Sequence, residues 1–155
     1  MKCLIVLFSL LRLLPFVDLL EDENGVPFEA PVTAAYVVLD GQSCGLCTPD
    51  VLNFITEELN GIPVYAVIDS HQPRSTRYID LDRHQAFLEA STCTVLFPRP
   101  KSPQIKSHFD EPLAKTPFIV AVSNNEHFVI DLACLSLKAP ASDDCRVKLQ
   151  RFLGR

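Results

Sequence analysis

The sequence predicts an α/β domain built on a central mixed sheet flanked by helices. Two patterns carry that expectation. A strand, helix and strand joined by short links over residues 34–69 form a βαβ unit, which implies a parallel strand pair. Two apolar strands around Asn124-Asn125 then close as an antiparallel hairpin, because Asn tolerates positive φ. The chain of 155 residues is long enough for one domain with a real core, and 48% hydrophobic against 21% charged residues excludes disorder as its general state.

Taken in order, the N-terminus reads as a targeting segment. Lys2 precedes the apolar run Leu4–Leu11, as a positive region precedes the core of a secretory signal. Arg12, Pro15 and Asp18 break the apolar character after Leu11. A spanning helix needs about 20 apolar residues, so residues 1–20 are assigned as a signal or anchor segment rather than a simple span. The alternative is an apolar N-terminal helix packed on a cytoplasmic domain. Cys3 lies in this segment and has no expected role in catalysis. Residues 21–33 read as an acidic linker punctuated by Asn24-Gly25, Pro27 and Pro31, leaving 34–155 as the folded domain. Residues 18–30 alone carry a charge of −5, whereas 31–155 carry −2 of a chain total of −5. With no clustered positive charge to meet phosphates, nucleic-acid binding is disfavoured.

Residues 34–40 form a short β-branched strand ending at Gly41. Residues 48–60 form a helix, with Thr48 as N-cap, Pro49 at the first helical position, Asp50 at the positive end and Gly61 as the stop. Val51, Ile55 and Leu59 recur at helical spacing to give its apolar stripe. Residues 62–69 form the second strand, and a polar loop fills 70–79. Asp82 and Gln85 resemble a capping box for a helix to about Ala90. Thr94–Phe97 is a short strand stopped by Pro98 and Pro100, and Ser102-Pro103 opens a short helix to about Phe109. Arg99, Lys101 and Lys106 read as a solvated basic face. Residues 118–123 and 127–132 are the hairpin strands. Ser142-Asp143-Asp144 opens a closing helix whose stripe is Cys145, Leu149, Phe152 and Leu153.

Cys44-Gly45-Leu46-Cys47 carries the chemistry. It lies between the first strand and the first helix, where a helix N-terminus offers unpaired N–H groups and partial positive charge. A thiol of ordinary pKa about 8.5 is drawn there toward about 7, where attack on a disulfide is efficient. Zinc needs about four ligands, and Cys93, Cys134, Cys145 and four scattered histidines supply no second close pair, so no metal is expected. Cys134 and Cys145 either pair with each other or are buried free thiols. His71 comes after the second strand and either approaches the site or is an ordinary loop histidine.

With these features in place, residues 34–153 resemble the thioredoxin fold, in its TlpA-type redoxin branch. Thr116-Pro117, directly before the hairpin, matches the family's cis-proline dipeptide. The long interval between Cys47 and Pro117 is similar to the extracytoplasmic branch, which inserts a strand and helix there. The resemblance implies a thiol–disulfide oxidoreductase, with Cys44 as nucleophile and Cys47 as resolving thiol. Thr116 and Pro117 would shape a substrate groove, and no cofactor is needed beyond the Cys44–Cys47 disulfide. Its partners would be protein thiols or disulfides and a recycling redox protein, outside the cytoplasm, with anchoring through residues 3–20 open. The sequence departs from the pattern at Ser43, usually aromatic, and at Leu46, commonly proline. Asp40 is the nearest match to the family's buried acid. Pro49 would interrupt a helix begun at Cys44, so the helix is expected to restart at Thr48, with Cys44 on a separate turn. These departures motivate a second reading, a non-enzymatic thioredoxin-like interaction module. A thiol peroxidase lacks support, because its usual threonine before the attacking cysteine is missing.

Overall fold

A strand buried on both faces must be apolar at every position, and Thr33–Leu39 (β2) is buried from Ala34 to Leu39. It lies inside a six-stranded mixed sheet, and around it are β1 (Leu20–Glu21), β3 (Val64–Ile68), β4 (Thr94–Pro98), β5 (Phe118–Ser123) and β6 (Glu126–Ile130). Their spatial order is β1-β4-β3-β2-β5-β6. This computed structural model describes residues 15–43, 45–70, 72–109, 116–136 and 141–155. Residues 1–14 of the expected targeting segment, Cys44 and His71 lie outside the described residues.

The βαβ expectation holds. β2 and β3 are parallel with Val37 beside Ala66, and β3 and β4 are parallel with Ala66 beside Val95. β5 runs antiparallel to β2 and forms the hairpin with β6, turning through Asn124 and Asn125 at φ 51° and 66°. Among the described residues the α-helices are α1 (Thr48–Glu58), α2 (Arg77–Arg83), α3 (Gln85–Ser91), α4 (Leu132–Leu135) and α5 (Ala141–Phe152). α5 ends as expected at Gly154, φ 73°. Gly154 N–H donates to Arg151 O, and Arg155 N–H donates to Gln150 O at 2.9 Å, a Schellman closure.

Period-2 alternation divides β2 between two cores. Ala35, Val37 and Leu39 pack with Val51 and Phe54 of α1, Phe87 of α3 and Leu149 of α5. Ala34, Tyr36 and Val38 pack on the opposite face with Phe16, Val17, Leu20, Ile105 and Phe109. Here the structure departs from the expected boundary at residue 34. Phe16–Leu19 form a 3-10 turn, β1 pairs with β4, and the Phe16 ring meets Tyr36 edge-on at 5.3 Å. Phe28 likewise meets Tyr65 at 4.8 Å. On this second sheet face the segment joins Ile105 and Phe109 in packing with Tyr36 and Val38.

Three local expectations change. The helix expected from Asp82 is two helices meeting at His84, and Asp82 makes no cap because it already lies within α2. Ser102-Pro103 precedes a 3-10 turn at Ile105–His108 rather than an α-helix. The strand expected to reach Leu132 stops at Ile130, and α4 comes next. Cys134 of α4 and Cys145 of α5 form a disulfide with Cα atoms 5.7 Å apart, deciding between the two readings of that pair.

Candidate active site

The sheet's own register assembles the site. β2 and β5 pair with Val38 opposite Phe118, so two positions further on the same register sets Asp40 against Thr116. The Thr116 hydroxyl donates to Asp40 Oδ1 at 2.5 Å, and Thr116 is buried. The Thr116–Pro117 bond is cis, and Pro117 enters β5 directly.

Asp40 also organises the turn that leads into the C-x-x-C. Its Oδ1 accepts the Gln42 N–H at 2.8 Å, its own N–H donates to Ser43 Oγ at 2.8 Å, and its carbonyl accepts the Ser43 N–H at 3.2 Å. A Cβ at Gly41, in this turn, would come within 2.8 Å of Arg83 Nη1, the mobile end of a half-exposed side chain. Gly45–Cys47 then form a separate 3-10 turn, and α1 begins at Thr48 with Pro49 in its first turn. The restart expected from Pro49 is therefore present. Thr48, expected as the N-cap, is instead the first helical residue, and Cys47 occupies the cap position, half-buried.

A cavity of about 120 Å³ opens beside this turn. Ser43, Gly45, Thr48, Pro117, Arg83 and His84 contribute to its wall. The structure thus brings Pro117 and the residues flanking Cys47 to one place. It adds two residues that the sequence did not single out, Arg83 and His84. His84 lies between α2 and α3, is 8% exposed, and has its ring near the Asp40 backbone carbonyl. Its Nε2 is buried without a hydrogen-bond partner. Burial pushes its pKa down, helped by the Arg83 charge. The Asp40 carbonyl and the charges of Asp80 and Asp40 oppose that shift without cancelling it. Nothing in the sequence marks His84, because its importance arises from the break between two helices that read as one. The ring of His127 packs on Phe109 at 5.1 Å, and Cys93 packs against the core, where burial pushes its thiol pKa up.

Among the described residues no helix is long and apolar enough to cross a membrane. No protein-family model and no curated protein matches the sequence. Among solved structures, the chain is similar to a secreted Mycobacterium tuberculosis disulfide oxidoreductase homologous to E. coli DsbE. That match has 10% identity and a TM-score of 0.47, covering 87% of this chain and 96% of that one. A peroxiredoxin-like protein from Aquifex aeolicus matches at 10% identity and a TM-score of 0.44, over 85% of this chain and 81% of that one. Strand order, strand polarity and the flanking helices make the fold thioredoxin-like.

Proposed function

We propose that the chain is a thiol–disulfide oxidoreductase acting on protein thiols and disulfides through Cys44 and Cys47. The observation that carries this reading is the position of the C-x-x-C: its last three residues form the turn between β2 and α1, and Pro117 lines the same cavity as Gly45 and Thr48. In the reducing direction, the Cys44 thiolate attacks one sulfur of a substrate disulfide and expels the other as a thiolate, which takes up a proton. The Cys47 thiolate then attacks Cys44 Sγ, releasing the second substrate thiol and leaving the Cys44–Cys47 disulfide. A recycling redox protein restores the dithiol. Thr116 and Pro117 flank the groove in which an extended substrate segment would lie. The Cys134–Cys145 disulfide and the apolar run after Lys2 support an oxidising, extracytoplasmic location.

The test is insulin reduction with trapping. Cys44→Ser is expected to abolish exchange, and Cys47→Ser to accumulate mixed disulfides. The Cys44 thiol is expected to titrate at least about one unit below a free thiol. A couple below about −250 mV would assign a reductant, and one near −120 mV an oxidant. A normal Cys44 pKa together with no insulin reduction overturns the reading. The departures at Ser43 and Leu46 favour the interaction-module alternative, which predicts partner binding that survives removal of both cysteines.

A further inference from the structure

Arg99 and Lys101 read in the sequence as part of a solvated basic face, but the fold gives them other company. Arg74, on a 3-10 turn, and Arg77, opening α2, stand with them around a cavity of about 280 Å³. Ser70 and Ser102 add hydroxyls to the wall, and among the described residues no acidic side chain lines it. The cavity lies at the carboxyl ends of the parallel strands β3 and β4, the edge at which open α/β sheets take ligands.

The charge there is not balanced. Buried Glu21 accepts from Arg74 Nε at 2.9 Å and Nη2 at 2.6 Å, and from Arg77 Nη2 at 2.9 Å. One carboxylate thus meets two guanidinium groups, while Arg99 and Lys101 have no acidic partner among the described residues. Asp80, on α2, is engaged by the Ser70 hydroxyl and by Arg83. Asp69, at the end of β3, accepts the Ile105 N–H at 3.1 Å. Arg77 is 6% exposed and stacks its guanidinium 4.4 Å from the centre of the Phe97 ring. Its Nη1 and Nε, like Arg99 Nε, are buried without a hydrogen-bond partner. A buried cation with donors unpaired carries a cost that a nearby anion relieves.

The loop that presents the remaining charges is stiff. Pro98 and Pro100 alternate with Arg99 and Lys101, the Arg99 N–H is fixed on Leu19 O at 2.7 Å, and Ser102 N–H closes on Arg99 O. Lys101 holds φ at 66°, a conformation that non-glycine residues rarely adopt. In a chain of net charge −5, four bases held together by buried pairing and a strained loop form a built positive cavity.

We propose that this cavity is an oxyanion site, and that its ligand class is the doubly charged phosphoryl group of a small phosphorylated molecule. The charge of three guanidinium groups and an amine exceeds what a single carboxylate neutralises and suits a phosphoryl dianion. The volume admits that group with a small organic remainder. The site does not depend on the redox reading.

Isothermal titration of the full chain at fixed ionic strength tests it, with inorganic phosphate, glycerol phosphate and acetate as separate probes. Saturable phosphate binding about tenfold or more tighter than acetate is expected, with the monoester binding at least as tightly as phosphate. The double variant Arg99→Gln, Lys101→Gln leaves the Glu21 pairs intact. It should weaken both phosphate probes about tenfold or more while thermal unfolding stays unchanged. No saturable phosphate binding at millimolar concentration, or equal binding by the double variant, overturns the site. Exclusion of the monoester overturns the ligand class.

Discussion

Burial holds the His84 pKa below its ordinary value of 6.5, so the folded ring is neutral where an unfolded one begins to charge. Linkage sets the sign of the effect on stability. Above about pH 6.5 neither state binds the proton and the stability is fully present. As pH falls below that, the unfolded chain takes up the proton first, and stability is lost toward the depressed folded value. His108 is depressed by burial too and contributes in the same direction. The melting temperature is therefore expected to fall as pH is lowered from 7 toward 5. His84→Gln, which keeps a polar side chain near the Asp40 carbonyl, should flatten part of that slope. An unchanged slope in the variant would show that His84 is not held neutral. At this scale the site was only partly legible. The C-x-x-C and Thr116-Pro117 are local strings that can be read directly. Asp40 owes its partner to the register of β2 on β5, and His84 to a helix break, and neither is encoded in adjacent residues.

At the scale of elements, the sequence is most legible where periodicity is strong: β2, β3, the β5–β6 hairpin, α1 and α5. It is less legible at residues 16–21, which the sequence divides between a targeting segment and an acidic linker. Yet Phe16–Leu20 cover a sheet face, and Glu21 is 2% exposed with Arg74 and Arg77 upon it. Glu21 therefore clamps β1 to α2. Burial pushes its pKa up, but the hydrogen bonds and charges of the two arginines outweigh that and leave it below 4.5. A depressed folded value means stability that is present above about pH 4.5 and lost as pH falls through the folded pKa. Glu21→Gln breaks the pairing and leaves Arg77 buried beside a neutral amide. A loss of about 3 kcal/mol in denaturant unfolding is expected, with a shallower acid dependence below about pH 4.5. A loss within experimental error would mean that the segment is held by its aromatic contacts alone.

Over the whole molecule, the carboxyl edge of the parallel strands gathers the C-x-x-C turn after β2, the basic cavity after β3 and β4, and the start of β5 against them. Within the sheet, the βαβ half and the hairpin half meet at the β2–β5 seam at its middle. The Thr116–Asp40 bond closes that seam just where the site opens, so one hydroxyl links global cohesion to the placement of Pro117. Thr116→Val keeps the β-branched shape and deletes the donor, while Asp40 retains the Gln42 N–H. A buried bond to a charged group is worth about 1.5 kcal/mol, so the urea midpoint should fall correspondingly with the m-value unchanged. If the proposed exchange reaction also depends on Pro117, the variant should reduce insulin more slowly under conditions where it is fully folded. Restoring the hydroxyl with Thr116→Ser should recover most of the rate. Equal stability and equal rate in Thr116→Val would show that the seam and the site are independent.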